Sequence, residues 1–254
     1  MYRSTVTRRA LLRLGAVAGG SLLLGTLDTR ASRWDRTRLA MGATGGGGEG
    51  SLTESRIRQG LKEALRQATT TVVKQLGQQG GYLQDPAIHI PLPGYLETTR
   101  SVLGQVGAAG MLEDLEVRLN RAAEQAAPRA REPFLDAIAA LTLQDAREIL
   151  NGPDDAATRY FQRTMTPDLK QSFRPVVDRE LANTGAIQAL DRIAGKMAQV
   201  PFAGDLGDNA KDRLTNHGVD GALNGIFHYL GRQEAAIRQD PAQRTTDLLR
   251  EVFG

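Results

Sequence analysis

Apolar residues recur at helical spacing through most of the chain. After a capping-box pattern at Ser51-Leu52-Thr53-Glu54, Ile57, Leu61, Ala64/Leu65, Ala68, Val72 and Leu76 form one stripe. Gly80-Gly81 then interrupts the pattern. The next stretch, Tyr82 to Gly94, holds Pro86, Pro91 and Pro93. A residue that precedes proline avoids the α region, so Ile88-His89-Ile90-Pro91-Leu92-Pro93 is predicted to be extended. It is also apolar, which predicts that it lies in a groove of the domain.

Helical periodicity resumes at Leu96 and continues to the end. Segments are predicted at Leu96–Val106 and at Met111–Ala127, where Leu112, Leu115, Leu119 and Ala122/Ala123 face inward. Pro128 and Pro133 divide the next stretch, and Phe134, Ile138 and Leu141 carry the stripe on. Thr142 is the predicted cap of 143–150, and Asn151-Gly152-Pro153 stops that helix. Asp154 or Asp155 is the predicted cap of 156–165. Thr166-Pro167 reads as an N-cap followed by proline at the first helical position. Later stripes use Leu169, Phe173, Val176/Val177 and Leu181, then Ile187, Leu190, Ile193/Ala194 and Met197. Further helices are expected to Arg238 and from Pro241 to Phe253. No β alternation and no repeat appears. The pattern therefore predicts a single all-α domain, 51–254, of about eight to ten helices with an extended Pro-rich segment.

The first fifty residues obey a different logic. Thr7-Arg8-Arg9-Ala10-Leu11-Leu12-Arg13 has the form of a twin-arginine export motif, with Arg8 and Arg9 as the signal pair. Leu14 to Leu27 is mildly apolar. As a helix it spans about 21 Å, short of a hydrocarbon core of about 30 Å. That length suits a signal h-region rather than an anchor. Thr29-Arg30-Ala31 and Ala40-Met41-Gly42 both offer small residues for cleavage. Residues 1–31 are taken as the signal peptide and 32–50 as a Gly-rich linker ending in Gly45-Gly46-Gly47-Gly48. The expected address is the periplasm, or another exported location, by the twin-arginine route. The membrane is met only in transit.

Charge supports this division. The formal net charge is +3, but residues 1–43 hold eight arginines against two aspartates, so the remainder is net acidic. A nucleic-acid role needs clustered basic residues, and the folded part has none. There is no cysteine, so neither a disulfide nor a cysteine-anchored lipid is available.

Several blocks resemble one family. They include Gly60-Leu61-Lys62-Glu63-Ala64-Leu65, Ile90-Pro91-Leu92-Pro93, Leu119-Asn120-Arg121-Ala122-Ala123-Glu124 and Phe134-Leu135-Asp136-Ala137-Ile138. Ile149-Leu150-Asn151-Gly152, Phe173-Arg174-Pro175-Val176-Val177-Asp178 and Ala222-Leu223-Asn224-Gly225-Ile226-Phe227 come next, in order. Together they resemble the bacterial domain-of-unknown-function family 4197, across 52–254. The resemblance implies an exported all-α protein of unassigned function and transfers no catalytic residue. The family's pattern carries Asp where this chain has Asn224.

Candidate chemistry is sparse. Asp154 and Asp155 are adjacent carboxylates that could hold a divalent cation, although capping explains them equally. His89, His217 and His228 are the three histidines. Gly218 beside His217 predicts a helix end there. Gly221-x-x-x-Gly225 predicts close helix–helix packing within the domain. Arg174 is expected to pair with Asp178, or to join a network with Asp136 or Asp154 that binds an anion. No nucleophile motif, phosphate loop or dinucleotide fingerprint occurs. The favoured function is a non-enzymatic binding or scaffold protein, without a cofactor, that holds an apolar or amphiphilic ligand or meets an envelope protein. Tyr82, Ile88, Ile90, Leu92 and Arg174 are its candidate ligand residues. The alternative is a metal-assisted hydrolase using Asp154, Asp155, Asp212, His217 and Asp220.

Overall fold

The computed structural model describes residues 54–201, 206–244, 246, 247, 250 and 252. The signal, the linker and the Ser51 capping box lie outside the described residues. Described residues form a single all-α domain with no strand. The helices are α1 (Glu54–Leu76), α2 (Gly94–Glu97), α3 (Arg100–Gln105), α4 (Gly110–Ala126), α5 (Arg131–Ala140), α6 (Leu143–Leu150), α7 (Ala156–Thr164), α8 (Thr166–Asn183), α9 (Ala186–Met197) and α10 (Ala210–Gln239).

Helix α10 is the axis of the domain. Its 30 residues span about 45 Å at 1.5 Å each. It packs against α1, α4, α7 and α8, while α4 also packs on α8 and α9. The predicted inward stripes of α1, α4 and α8 supply the core: Leu61, Leu76, Leu112, Leu115, Leu119 and Phe173 are almost wholly buried. Phe134 of α5 meets Phe227 of α10 edge to face, with ring centroids 5.5 Å apart.

Gly218 does not end a helix. Instead α10 runs through it, and α4 and α8 pack closely there: a Cβ built on Gly218 would stand 3.2 Å from Leu119 and 3.3 Å from Val177. Thr142 does cap α6, in a reciprocal box with Asp145. Thr166 does not cap α8. Its hydroxyl donates to the Gln162 carbonyl at 2.6 Å, and α8 starts at Thr166 itself.

The α7 cap also differs from expectation. Asp155 sits at the N-cap position but makes no capping bond; it pairs with Arg159 at 2.8 Å. The orphan N–H groups of Ala157 and Thr158 donate to Glu234 of α10, at 2.9 and 3.0 Å. The buried Glu234 carboxylate thus replaces the local cap. Arg238, one turn on, balances its charge at 3.0 Å.

Candidate functional site

Between α1 and α2 the chain makes turns from Gly77 to Ile88 and then runs without regular structure to Pro93. This strap carries many main-chain polar groups into a buried position, and each needs a partner. Three residues of α4, spaced one turn apart, supply them. Glu124 accepts from the N–H groups of Gly80, Tyr82 and Leu83, at 3.0, 3.3 and 3.1 Å. Asn120 accepts from Ile90 N–H at 2.9 Å and donates to Ile90 O at 2.8 Å. Glu116 accepts from Leu92 N–H at 3.2 Å.

His89 ties the strap to the same helix. Its Nδ1 lies 3.2 Å from Leu83 O and its Nε2 2.9 Å from a Glu116 oxygen. Both partners are oxygen acceptors, one on the strap and one on α4.

Helix α10 closes the other side. His217 Nε2 donates to Pro91 O at 2.7 Å, and Tyr82 donates its hydroxyl to Ala222 O at 2.7 Å. Asp85 accepts from the Tyr229 hydroxyl. This bond holds the Asp85 carboxyl below the usual range and pushes the Tyr229 phenol up. Burial, reinforced by Glu124, pushes the Tyr82 phenol up as well.

The glycines of the G-x-x-x-G pattern serve this contact and not a helix pair. A Cβ on Gly221 would stand 2.8 Å from Ile90, and one on Gly225 2.5 Å from the Tyr82 ring. Side chains at those positions would hold the strap off α10.

The candidate ligand residues fall in two places. Tyr82, Ile88, Ile90 and Leu92 are 0, 7, 2 and 4% exposed and belong to the core. The strap fills the apolar groove itself. Arg174 stands apart on α8, paired with Asp212 at 2.7 Å and bonded to Asn216. It pairs with neither Asp178, Asp136 nor Asp154; Asp178 instead accepts from the Thr215 hydroxyl.

An open cavity of about 410 Å³ remains where the strap crosses α10. The strap contributes Ala87 to Pro91. Helix α10 contributes His217, Asp220, Gly221, Asn224, Gly225 and His228. The spacing of His217, Asp220, Asn224 and His228 places them along one helical face, so all three histidines of the chain border one cavity. Asp220 bonds Lys170 of α8 through Oδ1 at 2.7 Å. Beyond it lies a smaller depression of about 270 Å³ that shares Asp220 and Asn224. A larger depression, about 480 Å³, lies elsewhere, between α5 and α8. It holds none of the histidines, whereas the strap cavity gathers all three with Asp220 and Asn224 and is the better candidate.

Nothing gathers the proposed metal set. Asp154 accepts from Gln239, and Asp155 packs beside Gly231, eleven residues and about 16 Å along α10 from Asp220. Among the described residues no group of three or more His, Asp or Glu side chains is arranged to hold a metal.

The family model described as "Protein of unknown function (DUF4197)" matches residues 51–254. The chain belongs to this family. The match covers the whole helical domain, including the strap and both helices that clamp it. No curated protein and no solved structure matches the chain.

Sequence reasoning missed Glu116, Asn120, Glu124 and Glu234. The first three repeat every fourth residue beside the apolar stripe of α4, and Asn120 and Glu124 interrupt its buried face. That interruption was the one local signal. Glu234 gave none.

Proposed function

We propose that the chain is an exported, non-enzymatic helical binding protein whose small ligand occupies the cavity between the strap and α10. The observation that carries this reading is the convergence of His217, Asp220, Asn224 and His228 on one open cavity of about 410 Å³. The apolar strap residues are already packed, so the ligand is polar, with apolar contacts limited to Ile88, Ile90 and Pro91.

The address rests on the sequence. Arg8 and Arg9 open a twin-arginine signal of residues 1–31, and the chain reaches the periplasm by that route. Among the described residues no helix is long and apolar enough to cross a membrane. The ligand or an envelope protein is the partner, and nucleic acid is not.

Native mass spectrometry on the protein recovered from the periplasm tests both parts. The expected result is a chain shortened at its N-terminus that carries an excess mass lost on denaturation. A bare mass, unchanged after incubation with small polar compounds, overturns the binding role. Retention in the cytoplasm of a twin-arginine-competent bacterium overturns the address.

A further inference from the structure

The chemistry of the cavity's ligand can be read from its donors and acceptors, granted that the cavity is the binding site. Every strap N–H there is used: Ala87 donates to Asp85 Oδ1, Ile88 and His89 to Asp85 O, and Ile90 to Asn120. Both ring nitrogens of His89 are engaged, and His217 spends its Nε2–H on Pro91 O. On the acceptor side, no donor among the described residues reaches the carbonyls of Ala87, Ile88 or His89. Asp220 has a second carboxylate oxygen beyond the one that Lys170 binds. Asn224 and His228 offer one donor group and one acceptor each.

Acceptors therefore exceed donors, and Asp220 is the only carboxylate of the lining. An anionic ligand would find no uncommitted Lys or Arg there. A ligand rich in N–H donors would match the surplus of acceptors, and an ammonium would fill the Asp220 oxygen that Lys170 leaves open. Ile88, Ile90 and Gly221 offer apolar surface for methylene groups.

We propose that the cavity takes a small aliphatic amine. One ammonium group is held by Asp220 and the Asn224 carbonyl oxygen, and its chain crosses Gly221 toward the strap carbonyls. Lys170 shares the Asp220 carboxylate with the ligand and fixes its orientation through Oδ1.

Titration calorimetry of the purified chain with spermidine and with putrescine tests the assignment. Saturable one-to-one binding is expected. Asp220→Asn lowers affinity by about tenfold, the worth of one charge-assisted bond. Asn224→Trp, at an exposed position, abolishes binding by blocking the cavity while leaving the thermal unfolding midpoint near that of the parent. Asp168→Asn, in the α5–α8 depression, leaves binding unchanged. Absence of amine binding, or equal affinity in the parent and both cavity variants, overturns the proposal. The same titrations with succinate and with glucose separate this failure from that of the site. If either binds and Asn224→Trp abolishes it, the cavity remains a binding site and the amine assignment falls. If no probe binds, both fall.

Discussion

The carboxamide of Asn120 holds both main-chain polar groups of Ile90, taking its N–H at 2.9 Å and its carbonyl at 2.8 Å. A side chain on one helix thus pairs with an irregular segment as a neighbouring strand would. Asn120 is fully buried, so no water replaces it readily. Replacing Asn120 by Ala leaves two buried groups unpaired, each at about 1–3 kcal/mol. Asn120→Ala is expected to lower unfolding free energy by about 2–4 kcal/mol. The Ile90 amide should lose protection in hydrogen exchange before the α1 amides do. Urea unfolding and amide exchange check the two statements.

Gly221 and Gly225 set how closely the strap lies on α10. A methyl on Gly225 meets the Tyr82 ring at 2.5 Å, and Tyr82 is pinned at its hydroxyl by Ala222 O. A methyl on Gly221 meets the end of Ile90, which is shorter and can be trimmed. Both substitutions overpack the contact and are expected to cost about 1–3 kcal/mol, Gly225→Ala the more. Ile90→Ala should partly rescue Gly221→Ala and leave Gly225→Ala unrescued. A double-mutant cycle by chemical denaturation measures the difference.

The stripes of α1, α4 and α8, the Thr142 cap and the irregular Pro-rich segment were all legible because periodicity, capping and proline act over a few residues. The role of the strap was not. Apolar Ile88, Ile90 and Leu92 predicted that the segment lies in a groove, and they are buried, but nothing local showed what fastens it there. Its fastening depends on Glu116, Asn120 and Glu124, which are 24 to 44 residues away in sequence. The candidate cavity was half legible. Spacing placed His217 and His228 on one face of α10, but nothing local brought His89 to them. A local rule failed outright at Asp155, because a buried carboxylate 76 residues from Thr158 outcompeted it for the α7 N–H groups.

That competition is measurable. Asp155 is partly exposed and pairs with an exposed Arg159, so Asp155→Ala should cost no more than about 1 kcal/mol. Glu234→Ala removes the carboxylate that balances the Arg238 guanidinium, which is only 9% exposed, and uncaps α7. Its cost is expected at about 3–5 kcal/mol. Equal effects of the two substitutions in urea unfolding would show that Asp155 is the working cap.

Acid should loosen the strap through Asp85. The Tyr229 hydroxyl, with help from the Ala87 N–H, holds the folded carboxyl below its ordinary range. A depressed carboxyl contributes stability that is present above the unfolded value, about 3.9, and is lost as pH falls through the folded one. Tyr229→Phe should flatten the acid limb of the stability profile between about pH 4 and pH 2. Unfolding midpoints measured across that range in both proteins check it.

Alkali should act through Tyr82. Its phenol is fully buried and its folded pKa is raised, first by burial and then by Glu124. Below the unfolded value of about 10 both states keep the proton, and the stabilising contact is intact. Above it the unfolded chain releases a proton that the folded chain retains, so stability falls as pH rises, by about 1.4 kcal/mol per pH unit for that one group. Tyr95, Tyr160 and Tyr229 are raised too and add slopes of the same sign. Tyr82→Phe loses the bond to Ala222 O and should be less stable at neutral pH, yet its alkaline slope should be shallower by one proton. A slope unchanged from the parent between about pH 9.5 and pH 11 would mean that Tyr82 ionises in place, and that the contact between strap and α10 is open to water there.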